Sequence, residues 1–228
     1  MRAWLAALLL AAAPAWAAPF AVQLGGTRLG LDAPPGFADT AFTGSPRLQE
    51  MGESLTSASN KILLFAISDA DLRAFSQGDT PLYRRYMIVV TPRDLVDQQV
   101  STSQFNQLVA DALRGLGSAA PDEDFPAYLD RQPAGQTALL AELHRGTTMV
   151  SVLQGMRLPP LRQPGMIERL FDKKEAPRYA ISTTTLLLLK GKALNLSVFS
   201  GYDSPEDVDW IKATTRRWVA DLERLNRN

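Results

Sequence analysis

One stretch near the C-terminus constrains the fold more than any other. Ser204-Pro205-Glu206-Asp207 reads as a helix start, with Ser204 as N-cap, Pro205 at the first helical position and acidic side chains at the positive dipole end. Beyond it Val208, Ile211, Thr215, Trp218, Leu222 and Leu225 recur at spacings of three and four, which draws one apolar stripe along a helix. Lys212, Arg216, Arg217, Glu223, Arg224 and Arg227 fall mostly on the other side. A stripe of this kind needs an apolar surface to cover, and the segments before it read as strands.

Tyr179 to Leu189 and Lys192 to Ser200 pair around Lys190-Gly191. In that register Leu187, Leu189, Leu194, Leu196 and Val198 share one face, the destination of the helical stripe. Ser182, Thr184, Asn195 and Ser197 share the other face with Leu186, Leu188 and Phe199, so that face is covered in part. Thr137 to His144 and Thr147 to Met156 read as a similar pair across Arg145-Gly146, with Leu139, Ala141 and Leu143 facing Val152, Val150 and Thr148. Upstream, Phe20 to Leu24 and Thr27 to Leu31 flank Gly25-Gly26 as a hairpin, the glycines supplying positive φ. Lys61 to Ile67 and Tyr86 to Val90 are continuous apolar runs, the pattern of strands buried on both faces. A helix is expected over Ser101 to Leu116, capped at Gly117, with a weaker one over Pro46 to Leu55 and helical turns at Asp69 to Phe75 and Phe125 to Leu129.

The first residues read as an address. Arg2, the apolar run Trp4 to Ala13 and Ala15-Trp16-Ala17 form a cleavable signal peptide over residues 1–18, which leaves 19–228 as a single α+β domain. The alternative is an uncleaved anchor, but Pro14 and Pro19 interrupt the stretch and about 20 apolar residues are needed to span a bilayer. No later segment is long and apolar enough to span. The chain has no cysteine, which excludes disulfides, thiolate chemistry and a lipidated N-terminal Cys. Its Ala/Leu/Arg-rich composition and short leader fit a bacterial periplasmic or secreted protein. With 24 basic and 24 acidic residues, charge balance gives no argument for nucleic acid.

The layout resembles the PsbP-like family of small α/β/α sandwiches. The resemblance lies in the N-terminal hairpin, the turn Pro35-Gly36-Phe37, and a strand pair followed by a long C-terminal helix across Arg178 to Asn228. It implies a curved antiparallel sheet with covering helices, and an accessory or binding role. The family has no shared catalytic residues, so the resemblance carries no site residue onto this chain.

Chemistry is sparse in the sequence. His144 is the only histidine; with Glu142, two positions back on one strand face, it is the one candidate acid/base pair, set against an ordinary residue beside a turn. No G-x-S-x-G elbow, phosphate loop or H-E-x-x-H occurs. Asp122-Glu123-Asp124 lacks the spaced ligands and bend glycine of a calcium loop, and Asn195-Leu196-Ser197 matches a glycosylation sequon in mid-strand, read as coincidence. No catalytic, cofactor-binding or metal-ligating residue is assigned, and no cofactor is expected.

The long connection Arg157 to Pro177 interleaves basic and apolar side chains. The preferred reading is a lid whose apolar residues tuck onto the sheet. As a contact surface it would use Arg157, Arg162, Met166, Arg169 and Phe171 against an unidentified protein or envelope component, or an anionic membrane. The leading functional expectation is an exported non-catalytic accessory or binding protein. The alternatives are an enzyme with a scattered site and a membrane-surface protein.

Overall fold

The computed structural model describes residues 19–120, 124–159 and 178–227. In chain order the elements are β1 (Phe20–Leu24), β2 (Thr27–Leu31), β3 (Phe37–Asp39), α1 (Pro46–Ser54), β4 (Asn60–Ser68), α2 (Asp69–Gln77) and β5 (Arg85–Pro92). They continue with α3 (Thr102–Arg114), α4 (Phe125–Asp130), β6 (Ala138–Arg145), β7 (Met149–Arg157), β8 (Tyr179–Leu189), β9 (Lys192–Tyr202) and α5 (Pro205–Leu225). Short 3-10 helices occupy Thr40–Thr43 and Arg93–Leu95. The hairpin β1-β2 stands apart from a seven-stranded antiparallel sheet in the order β3-β4-β5-β9-β8-β7-β6. The fold is α+β, as the alternation of strand and helix patterns predicts.

Helix α5 lies on the face where its stripe was expected. Val208, Ile211, Trp218, Val219 and Leu222 join Leu187, Leu194, Leu196 and Val198 in one core, which the hairpin completes with Leu24, Leu29 and Leu31. Two hydroxyl pairs finish this layer, Thr183 with Thr215 at 2.5 Å and Ser151 with Thr185 at 2.8 Å, so burial leaves those polar atoms satisfied. The stripe ends at Leu222. Leu225 is 39% exposed and lies over Gly30, where an added Cβ would meet its Cγ at 2.8 Å.

The opposite face carries two smaller cores. Phe65, Ile67, Ile88 and Val90 pack with Leu48 of α1 and with Leu72 and Phe75 of α2. Phe105 and Val109 of α3 pack on Val150 and Ala193, with Leu186 and Leu188 beside them. Both apolar runs, Lys61 to Ile67 and Tyr86 to Val90, are therefore covered on both sides, and the sheet lies between helical layers. Among the described residues no helix is long and apolar enough to cross a membrane.

The hairpins separate what a turn fixes from what it does not. At Lys190 and Gly191 φ is 50° and 75°, the two positive values of a tight two-residue turn, and Leu187 pairs with Leu194 in the expected register. Between β6 and β7 the expected register is wrong. Ala141 pairs with Leu153 rather than Val150, because the register shifts between Leu139 and Ala141 and again between Glu142 and His144. The turn also widens to Gly146-Thr147-Thr148, closed by the Gly146 N–H donating to the Met149 carbonyl at 2.7 Å. Two smaller corrections follow from backbone angles: α3 stops at Arg114 with Gly115 as its cap, and in the first hairpin Gly25 alone takes positive φ.

Candidate functional site

The expected pair of Glu142 and His144 is taken apart by a bulge. Glu142 stands opposite Val152 and His144 opposite Ser151, and neighbouring residues of β7 face opposite sides of the sheet. The two side chains therefore project to different faces, contrary to the shared face read from the sequence. Glu142 instead accepts from Arg145 Nε at 2.9 Å, and this hydrogen bond holds its carboxyl below the usual range. His144 borders a 170 Å³ hollow with Ser151, Lys212, Thr215 and Arg216. The Ser151 hydroxyl there is already paired with Thr185. Of the contact residues read in the long connection, Arg157 is on β7 and donates from Nη2 to the Gln132 carbonyl at 3.0 Å. Arg162, Met166, Arg169 and Phe171 lie outside the described residues.

The larger concavity is elsewhere, and its origin is local. Strand β3 pairs with β4 over three residues only, from Phe37 opposite Ser68 to Asp39 opposite Ala66. The chain then leaves the sheet. Asp39 caps the 3-10 helix, its Oδ1 accepting from the Ala41 N–H at 3.2 Å; Gly44 closes that helix at φ 61°, and Pro46 starts α1. Helix α1 returns over the sheet at Gly52, where an added Cβ would stand 3.1 Å from Phe65 Cδ1. That close approach is why a glycine sits inside the helix.

As a result, residues 60–65 of β4 have no strand beside them on the side away from β5. A cleft of 680 Å³ runs along this edge. Its floor includes Ile62, Leu63, Leu64 and Phe65, and its far wall includes Ser45, Gln49 and Glu53. Lys61 and Arg93 line one end and Asp39 the other.

The electrostatics differ between the ends. Asp39 is 7% exposed, and burial pushes its carboxyl above the usual range, against the opposing pull of backbone N–H groups at Ala41 and Phe65. Its Oδ1 accepts from the Phe65 N–H at 3.4 Å, standing where the carbonyl of a further β3 residue would have stood. Arg93 donates from Nε to the Ala58 carbonyl at 3.0 Å, and Glu53 accepts from Gln49 at 2.9 Å. Neither Lys61 nor Arg93 forms an ion pair among the described residues. The cleft thus offers an apolar floor, a bare strand edge, two cations at one end and a carboxyl at the other. Sequence reasoning missed Asp39, Lys61 and Arg93; the one hint is a lysine opening an otherwise apolar strand.

No family model matches the sequence, and no curated protein is similar to it at a significant level. Among solved structures, a point mutant of protein Mog1 aligns over 92% of this chain and 93% of its own, at 14% identity and a TM-score of 0.36. A superposition that loose carries no argument about fold or function.

Proposed function

We propose that the chain is an exported, non-catalytic accessory or binding protein that receives its ligand in the cleft between α1 and the uncovered edge of β4. The cleft itself carries this reading: at 680 Å³ it lies within the roughly 300–1,000 Å³ typical of ligand pockets. It combines an apolar floor with a few polar groups, as binding pockets do. Asp39, its most buried ionisable group, is engaged in holding the backbone at Ala41 and Phe65. Arg2 and Ala15-Trp16-Ala17 support export, so the partner is an envelope or extracellular component. The PsbP-like resemblance points the same way, toward accessory and binding proteins.

Amide spectra of the isotopically labelled mature protein, titrated with mixtures of short peptides, oligosaccharides and organic acids, test the binding role. Shifts centred on residues 39–65 are expected. Shifts centred elsewhere would move the site, and turnover of any probe that is lost in His144→Ala would replace binding by catalysis. N-terminal sequencing of secreted material should find Ala18 or Pro19 first; an intact Met1 on that material would overturn cleavage, and recovery of the whole protein from the cytoplasm alone would overturn export.

A further inference from the structure

The two edges of the large sheet are finished in opposite ways. At the β6 edge the register shifts twice, Glu142 and Arg145 form an ion pair, and the Leu139 carbonyl accepts from the Ala120 N–H at 2.9 Å. Bulges and charges of this kind keep other strands from adding to an edge. The β4 edge has one register shift, at Leu63, and its side chains there are Ile62, Leu63 and Leu64. It carries one charge, Lys61, at its start.

From this contrast, and resting on the binding role proposed above, we infer that the cleft takes the extended C-terminal segment of a partner protein as an added strand antiparallel to β4, with its terminal carboxylate at Lys61 and Arg93.

Three observations fix the occupant. The first is the path. Strand β3 already runs antiparallel to β4 and is cut off at Asp39, where a side-chain oxygen takes the Phe65 N–H in place of a carbonyl. An incoming strand continues that line from Leu64 toward Asn60. At about 3.4 Å per residue it needs about five residues, or about 17 Å. The second is the wall. The Thr40–Thr43 turn and α1 stand beside the edge, leaving a cleft lined by Ala41, Gly44, Ser45 and Gln49 opposite the strand. A single extended segment enters such a cleft, whereas the edge of a second folded copy would bring its own α1 against this one. The third is charge. A strand antiparallel to β4 ends at the Asn60 side, where Lys61 and Arg93 have no carboxylate partner among the described residues, and begins near Asp39. Its C-terminal carboxylate meets the two cations. The reverse direction would bring its N-terminal ammonium to them, and like charges would repel. In strand addition the main chain supplies affinity and alternate side chains supply selectivity; here the side chains that face α1 rest beside Ile62 and Phe65.

The test uses two pools of random heptapeptides on the immobilised mature protein, one with free C-termini and one amidated, read by mass spectrometry. The free-acid pool should enrich sequences with apolar residues at alternate positions. For an enriched peptide, amidation or Lys61→Glu should weaken binding at least tenfold, and amides within 61–64 should gain protection from hydrogen exchange. Equal enrichment from both pools would overturn the carboxylate end. Enrichment without exchange protection at the edge would overturn strand addition. If no peptide is enriched while oligosaccharides or organic acids still shift residues 39–65, the strand proposal fails and the binding role stands. If no probe shifts the cleft, both fall.

Discussion

Trp218 is 2% exposed, and its Nε1 donates to the Asp32 carbonyl at 2.8 Å, tying α5 to the end of β2. Trp218→Ala removes the largest fully buried side chain on the helix and should lower the unfolding free energy by about 3–5 kcal/mol in urea titrations. Trp218→Phe keeps much of that packing but leaves the part-buried Asp32 carbonyl without its donor, an added cost of about 1 kcal/mol. A Phe variant as stable as the parent would show that the hydrogen bond contributes nothing. Two buried carboxyls with opposite shifts, Asp207 and Asp39, contribute to the pH dependence in opposite directions. At Asp207 burial acts to raise the pKa, but it is outweighed by the Asp203 N–H, Arg85, the Ser204 N–H and Arg84, so the net shift is downward. A depressed carboxyl stabilises the fold above its unfolded value of about 3.9, and that stabilisation is lost as pH falls through the still lower folded value. Asp207→Asn should therefore be less stable at pH 7 and lose less on acidification toward pH 2. Asp39 behaves in reverse: raised by burial, it favours the fold below about pH 3.9, an advantage lost as pH rises through its folded value. Asp39→Asn keeps an oxygen acceptor for Ala41 and Phe65 and should remove the decline in stability just above pH 4. Urea titrations across pH 2–7 measure both, and parallel curves for variant and parent would refute the assignment.

Among the elements, the turn at Lys190-Gly191 is the sharpest device. Lys190 holds φ 50° at a cost of roughly 1–2 kcal/mol for a residue with a Cβ, whereas asparagine accepts that region more readily. Lys190→Asn should stabilise by up to about 1 kcal/mol. Gly191→Ala should destabilise by about 1–2 kcal/mol, because φ is 75° and a residue with a Cβ is strained there; the flexible Gln99 side chain would only have to swing aside. A stable Gly191→Ala protein would mean that the turn can be rebuilt. The same turn explains what was legible in the sequence. Two residues with positive φ leave one register for the flanking strands, so the pairing of β8 and β9, the face that receives α5 and the burial of Leu194 and Leu196 all follow from pattern. Residues 146–148 leave the register open, and the bulges at Leu140 and Leu143 obey side-chain needs that alternation cannot encode. Leu140 is 3% exposed in the main core, and Leu143 packs against it. The cleft was illegible for a different reason. The run Ile62 to Ile67 correctly signals burial above and below the sheet, but side chains report only those two directions. Whether a neighbour stands in the third, along the hydrogen bonds, depends on where β3 stops. That was set by Asp39 and Gly44, which show no strand or helix pattern, and by Pro46, which marks only the start of a helix.

At the scale of the whole molecule, a sheet of this kind ends somewhere, and each end is a place where another chain can add. Covering both faces with helices does nothing for the edges, so their treatment is a separate property of the sequence. The β6 edge is protected by two devices that can be told apart. The bulges break the spacing of its outward N–H and C=O groups, and the Glu142–Arg145 pair, exposed on the surface, adds charges that an incoming apolar strand would have to desolvate. A surface ion pair adds little to stability, so removing it tests protection with little effect on folding. Replacing Glu142→Val and Arg145→Val together should leave the unfolding midpoint nearly unchanged while the weight-average mass by light scattering rises with protein concentration relative to the parent. If the double variant scatters like the parent, the charges do not contribute, and the bulges with the Ala120 N–H at the Leu139 carbonyl guard that edge. Applied to β4, where Leu63 supplies a single bulge, that outcome would also weaken the contrast between the edges, because one bulge would then go some way toward closing the edge to an added strand.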